Sequence, residues 1–400
     1  MVNVGAAQLR LLVVLQVPSP ASVAARSLDL WRKLAEQCPL RLMVVQAAFS
    51  GKEVLWELAP AKPSRPGAEL LTLAELVGWL RRERIEAVHA LDGASARWAV
   101  PAARLAGCKV IMNRAGFPLD SGGHRHQDES ALSRAADLVV ASSSEVMEQL
   151  TGLEGVPAER VVMVPPGFDL TQWDARVNDS AAMHFEFPGA ARAVVVSADQ
   201  DREGSGMEDF LTALALCRAR HPEVFGAIVG RGRNQARLEV LASTLGISDR
   251  VAFLGERTDL PALYGRALAA VVLGDGNPNL LAALEPMASG CPALVPSGTE
   301  AALAVGVGKR GQTFRAQQPA LLSRCLAVML KDPTRARALG RAARSHVEHE
   351  HGAPEWLASH QTLYARLSAS RVGRDGKPEP LTGGTYGQFS SGPNPDARER

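Results

Sequence analysis

Cysteine is scarce in this chain. There are five, at positions 38, 108, 217, 291 and 325, an odd number with no CxxC pair. That pattern argues against both a disulfide framework and a Cys-ligated zinc site, and free thiols in a reducing compartment are expected. Aromatic residues make up 5%. No apolar run approaches the ~18 residues that a membrane-spanning helix needs. The short apolar run near the N-terminus lacks the basic flank and small-residue cleavage site of a secretory signal. A cytoplasmic protein is expected, with room for a peripheral contact at the inner face of a membrane. Neither sign of charge is in excess: 44 Lys and Arg stand against 42 Asp and Glu, a formal net charge of +2. Such a balance gives no support to bulk binding of nucleic acid. With 46% hydrophobic and 22% charged residues the chain is neither disordered throughout nor fibrous. Its 400 residues are too many for one ordinary domain, so two are expected.

Short apolar runs alternate with amphipathic stretches. Strands are predicted at 11–17, 40–46, 87–91, 109–113, 138–141 and 161–164, and helices at 23–37, 70–84 and 96–106. The pattern pauses between Asp174 and Ala191, where Asn178, Asp179, Ser180, Pro188 and Gly189 mark a linker. It restarts with strands at 193–197, 226–229, 251–254, 269–273 and 293–295. Helices are predicted at 207–220, 235–245, 279–289, 319–331, 334–350 and 354–367. Strands joined by helices of this length form βαβ units and parallel sheets. The expected fold is α/β, with two Rossmann-like domains at 1–175 and 192–350, a linker at 176–191 and a last helix within 351–369. Residues 370–400 are rich in Gly, Pro, Ser and charge, and are expected to be disordered.

In doubly wound sheets ligands bind beyond the carboxyl ends of the strands, so the segments that follow strands are the ones to inspect. After 226–229 comes Gly230-Arg231-Gly232-Arg233, leading into a helix. Glycine lets backbone approach a phosphate, the helix N-terminus adds positive dipole, and arginine adds charged donors. The same residues also read as a tight turn with solvated arginines. After 269–273 comes Gly274-Asp275-Gly276-Asn277-Pro278-Asn279, with Asn279 placed to cap the next helix. That helix is apolar except for Glu285, a carboxylate that is costly to bury without a partner or a cleft to face. The alternative is a Glu on the one wet face of the helix. Pro286 is expected to kink or end it. In the first half, His89 lies within a strand and Arg114 follows one. His124 and His126 lie in a glycine-containing loop with no third metal ligand placed beside them. No Ser–His–Asp elbow, Walker loop or full dinucleotide fingerprint is present.

Three segments taken together, RVVMVPPGFDLTQW (160–173), GRGRNQARLEVLASTLGISDRVAFLGERTDLPALYGRA (230–267) and EPMASGCPALV (285–295), resemble the GT-B glycosyltransferases. The similarity is greatest to family 4, whose members are retaining and use nucleotide sugars. The resemblance implies two Rossmann-like domains facing across a cleft and a C-terminal helix that crosses back to the first. It implies a nucleotide-diphosphate sugar as donor, no tightly bound cofactor and no metal. The acceptor would be a polysaccharide, glycolipid or protein. Gly230, Arg231 and Gly232 match the phosphate-side loop, and Glu285 the carboxylate that binds the donor ribose. Gly276, Asn277 and Asn279 would face the diphosphate.

The departures from the family bear on activity. The family carries two Glu residues eight positions apart, but eight before Glu285 stands Asn277. Asp275 is the candidate substitute. An Arg and a Lys on the donor phosphates reduce to Arg202, with Glu203 near the place of the Lys. Pro18–Ser22 replaces a glycine-rich acceptor loop, and Asn113-Arg114-Ala115 stands where a His is usual. Asp275, Arg202 and Glu285 are therefore the candidate catalytic residues, with His89 and Arg114 on the acceptor side. Losing one phosphate cation costs on the order of 10²–10³ in rate. A second reading stays open: a catalytically silent relative, serving as a binding or scaffold subunit beside a partner glycosyltransferase. A third is another chemistry on the same fold, such as sugar epimerisation.

Overall fold

A computed structural model describes residues 10–369 apart from 18–22, 39, 48–52, 60–61, 64–72, 115–123, 179–184, 189–191, 198–205, 231–233 and 274–279. Two sheets form the frame. The first contains β1 (Leu11–Val17), β2 (Leu40–Ala47), β3 (Glu53–Ala59), β4 (Lys62–Pro63), β5 (Ala87–Ala90), β6 (Lys109–Arg114), β7 (Leu138–Ala141) and β8 (Val161–Met163). Their order is β4-β3-β2-β1-β5-β6-β7-β8. All neighbours are parallel except β3, which runs antiparallel to both β2 and β4. The second sheet contains β9 (Arg192–Ser197), β10 (Val224–Val229), β11 (Val251–Gly255), β12 (Ala269–Val272), β13 (Ala293–Pro296) and β14 (Gly311–Phe314). Its order, β11-β10-β9-β12-β13-β14 with every pair parallel, is the 3-2-1-4-5-6 order of a doubly wound sheet.

The helices are α1 (Val23–Gln37), α2 (Leu73–Arg82), α3 (Gly93–Ala106), α4 (His124–Ala135), α5 (Ser144–Glu148), α6 (Leu170–Asn178) and α7 (Met207–Arg218). There follow α8 (Gln235–Thr244), α9 (Leu260–Arg266), α10 (Leu280–Ala288), α11 (Glu300–Val305), α12 (Pro319–Lys331), α13 (Pro333–Glu350) and α14 (Ala353–Ala369). They cover both faces of both sheets. In β5, Val88 and Ala90 face the cluster made with α2 and α3, while Ala87 faces the one made with α1 and α14. In β12, Ala269 and Val271 face α7 and α12, while Ala270 and Val272 face α9 and α10. Burial on both faces is why these strands are continuous apolar runs in the sequence.

The chain crosses between the two sheets twice. Val164 is buried with the first sheet, but Phe168 and Trp173 are buried against the second. Ala343 and Val347 belong to the second sheet's core, but Trp356, Leu363 and Leu367 of α14 cover the first. The crossings are bonded to each other. The Phe168 N–H donates to the His351 carbonyl at 2.7 Å, and His351 Nδ1 donates to the Pro166 carbonyl at 2.9 Å. A linker starting at 176 is thus corrected, because α6 runs to Asn178 and packs on the second sheet through Trp173. His124 and His126 open α4 rather than lying in a loop. α10 also continues through Pro286 to Ala288.

Several arginines close the carboxyl ends of neighbouring helices. Arg81 donates to the Leu105 carbonyl of α3 at 2.6 Å and Arg104 to Ala135 of α4 at 2.8 Å. Arg310 donates to Ala304 of α11 and Arg344 to Ala288 of α10, each at 2.6 Å. Arg192 and Arg218 do the same for Leu330 and Gly246, at the ends of α12 and α8. The last carbonyls of a helix lack intrahelical partners and carry negative dipole, which a guanidinium answers on both counts. Among the described residues no helix is long and apolar enough to cross a membrane.

Candidate active site at the carboxyl ends of the strands

Ser197 ends β9 at the switch point of the second sheet. It is in register with Val229 of β10 on one side and Val272 of β12 on the other. Three successive segments of interest therefore leave the sheet from three adjacent strand ends: 198–205, 230–233 and 274–279. Arg202, Arg231, Gly232, Asp275, Gly276, Asn277 and Asn279 fall in these segments, outside the described residues. The register fixes where each segment begins, and that is the crevice where doubly wound sheets take ligands.

Gly230 is described, and its role differs from the expected one. Its N–H donates to the Gly255 carbonyl at 2.9 Å, so this donor is engaged by the end of β11 rather than offered to a phosphate. Its φ of 129° is one that a side chain resists, so glycine is required here for the turn.

Glu285 lies on α10, directly after the segment that follows β12. It is 2% exposed, which removes the reading of a Glu on a wet face. Most of the helix is buried, at Leu280, Ala283, Leu284, Pro286, Met287 and Ala288, with Leu281 and Ala282 half-buried. α10 is also held at its end. Arg344 binds the Ala288 carbonyl and, at 2.6 and 2.8 Å, both oxygens of Asp174. Trp173 Nε1 donates to Ser289 Oγ at 2.8 Å. A carboxylate on so fixed a helix has little freedom to move.

A second buried acid was not anticipated. Glu300, 1% exposed, opens α11 just beyond β13, the neighbour of β12. Thr299 caps this turn, its Oγ1 accepting from the Ala302 N–H at 3.3 Å. The signal was present in the sequence as Thr-Glu after a buried strand, an N-terminal helix signature.

In the first domain the structure turns both acceptor-side candidates inward. His89 is 0% exposed beneath α14. Its Nε2 donates to Asn113 Oδ1 at 2.7 Å, and its Nδ1 takes the Tyr364 hydroxyl at 2.9 Å. Burial lowers its pKa to about 4, with the Asn113 bond pulling the other way, so the ring is neutral near pH 7. Trp31 and His360 stand against it. Arg114 is 4% exposed and forms a bidentate pair with Glu154, both bonds 2.8 Å. It also donates to Ser133 Oγ at 2.7 Å. Neither side chain reaches a surface, so an acceptor contact is replaced by a role in holding the first domain together.

Comparison with known proteins supplies a family. Residues 185–346 match the family described as glycosyl transferases group 1, and residues 10–167 match the glycosyl transferase 4-like domain. The chain is 29% identical over 320 residues to a D-inositol 3-phosphate glycosyltransferase of Nocardia farcinica, covering 75% of this chain and 67% of that one. It is 25% identical over 345 residues to a glycogen synthase of Mycobacterium tuberculosis, covering 82% and 79% respectively. Its fold is similar to that of a sucrose-phosphate synthase from Thermosynechococcus elongatus, with a TM-score of 0.72, 18% identity, and 91% and 100% of the two chains covered. It is also similar to Anabaena HepE in complex with UDP, with a TM-score of 0.67, 18% identity, and 90% and 100% covered.

Proposed function

The chain belongs to the GT-B glycosyltransferases of the family 4-like type, and from that premise we propose that it moves a sugar from a nucleoside diphosphate to an acceptor hydroxyl with retention at the anomeric carbon. The observation that carries the reading is the register at Ser197. It starts the segments bearing Arg202, Arg231 and Asp275 from three adjacent strand ends, with Glu285 on the helix that follows.

In this reading Glu285 takes the ribose hydroxyls. Arg202 and Arg231 hold the diphosphate, with the N–H groups of Gly232, Gly276 and Asn277 beside them and Asn279 capping α10. Asp275 faces the sugar. The bond between the anomeric carbon and the diphosphate oxygen breaks, and its electron pair leaves with the diphosphate. The acceptor oxygen bonds to the same carbon, and its proton passes to the departing phosphate oxygen. Cations and fixed dipoles lower the barrier because charge develops on that oxygen. A UDP-type donor is supported by the UDP bound in the structurally similar HepE. The acceptor is a glycan, lipid or protein hydroxyl.

A second reading, a nucleotide-binding subunit without turnover, is favoured by Asn277 and Glu203, which stand where the family resemblance places a carboxylate and a cation. The test is release of nucleoside diphosphate from UDP-, GDP- and ADP-sugars, with the product's anomeric configuration read by NMR. Turnover of one donor with its configuration kept is expected, together with at least a tenfold loss in Asp275→Asn and Arg202→Ala. Binding of nucleotide without any release would establish the second reading instead.

A further inference from the structure

The rim of the first domain carries charge that bears on the acceptor, and the inference drawn from it rests on the glycosyltransferase reading above. β5 and β6 are adjacent and parallel, and their carboxyl ends lead to Asp92-Gly93 and to Arg114. Two features there would ordinarily attract an anion. One is the N-terminus of α3, a helix of 14 residues. The other is the Arg114 guanidinium.

The protein's own carboxylates occupy both. Asp92 caps α3, its Oδ1 accepting from the Ser95 N–H at 2.7 Å. The Glu129 carboxylate lies against the first residue of the same helix, so close that a Cβ at Gly93 would overlap it. Glu129 Oε2 is also 3.9 Å from Arg114 Nε. The rest of the Arg114 fork is engaged by Glu154 and Ser133. Gln149 Nε2 supports Glu154 with a further bond of 2.9 Å. Two carboxylates, Glu154 and Glu129, thus flank the guanidinium at the mouth of β5 and β6. Of these, Glu129 is the half-exposed one.

The neighbouring sequence does not reverse that sign. Residues 18–22, after β1, carry no charge, and residues 115–123, after β6, carry Asp120 alone. Arg134 is engaged, donating to the Glu154 carbonyl at 3.2 Å. Arg97 is exposed one turn into α3, and Arg125 lies in the first turn of α4. The helix dipole and the deep guanidinium of this rim are already answered by Asp92, Glu129 and Glu154.

We infer that Glu129 determines acceptor specificity: this rim takes an uncharged sugar or polyol and turns away a phosphorylated one. A phosphate brought to α3 would meet a fixed like charge at the place where a helix N-terminus otherwise welcomes it. The contrast is with the Nocardia relative, which is named for a phosphorylated inositol.

The test titrates D-inositol 3-phosphate into the full chain by calorimetry, for wild type, Glu129→Gln, Glu129→Ala and the charge-keeping Glu129→Asp. The wild type and Glu129→Asp are expected to show no saturable binding up to millimolar ligand. Glu129→Gln and Glu129→Ala are expected to gain at least tenfold, and the gain should shrink as salt rises. Circular dichroism checks that each variant is folded, and either neutral variant alone suffices. Tight binding to the wild type would overturn the inference, as would no gain in the folded neutral variants. A parallel titration with UDP, GDP and ADP reads the donor site separately. Absence of binding by all three would sink the glycosyltransferase reading while the phosphate comparison at α3 would still return its own answer.

Discussion

Histidine burial at the first domain gives the protein an acid limit. His89 and His360 are both fully buried. Burial holds the first at about 4 and, with the neighbouring His89, the second at about 3, against 6.5 in an unfolded chain. Between those values the unfolded chain binds more protons, so stability falls as pH drops below about 6.5 and stops falling near the folded values. At pH 5 each imidazole should cost about 2 kcal/mol relative to pH 7.5. Urea denaturation at the two pH values should show this loss, and His360→Leu should lessen it. An unchanged pH dependence in that variant would contradict the assignment. The Arg114–Glu154 pair should behave as a buried ion pair does. Glu154→Ala leaves the guanidinium uncompensated and should cost about 3–5 kcal/mol by denaturant midpoint, whereas replacing both partners with apolar residues should cost far less. Neither contact was legible in the sequence. The partners of His89 and Arg114 lie 275 and 40 residues away, and no local pattern encodes such pairings.

Among elements, the apolar parallel strands were legible, whereas β3, β4 and β14 were not. β1, β7 and β12 are apolar runs because helices cover both faces. β14, an edge strand that reads Gly-Gln-Thr-Phe, and the antiparallel β3, which reads Glu-Val-Leu-Trp-Glu-Leu-Ala, are broken by polar residues and gave no such signal. α4, with the sequence HRHQDESALSRA, is too polar to read as a helix. It is held by a narrow stripe of Ser130, Ser133 and the adjoining Ala136, over which Glu129 and Arg134 remain half-buried or exposed. α14 was legible as a helix, but its partner was known only through the family resemblance. Its docking has a precise steric condition at Gly167, where a Cβ would overlap the Trp356 indole. Gly167→Ala should therefore lower stability by about 1–3 kcal/mol. Differential scanning calorimetry should show a lower Tm, with Trp356→Leu in the same chain recovering part of it. A wild-type Tm for the single variant would refute the contact.

At the scale of the whole molecule, the exchange of α6 and α14 ties two sheets into one body, with the crossings bonded through His351 and Phe168. The second domain was the more legible because its motif is local: EPMASGCPALV is one helix, one turn and one strand in succession. The first domain was less so, since the charged groups at its strand ends come from separate segments and meet only once β5, β6 and α4 are brought together. Two expectations changed on this scale: His89 and Arg114 serve the interior, and the Gly230 N–H serves β11. At the centre stands the proposal that the crevice at Ser197 binds the donor, and calorimetric titration of the full chain with UDP, GDP and ADP tests it most directly. One nucleotide is expected to bind to the wild type, and Glu285→Ala, if folded, should weaken it at least tenfold. No binding of any of the three, or an undiminished affinity in Glu285→Ala, would contradict the assignment of that crevice as the donor site.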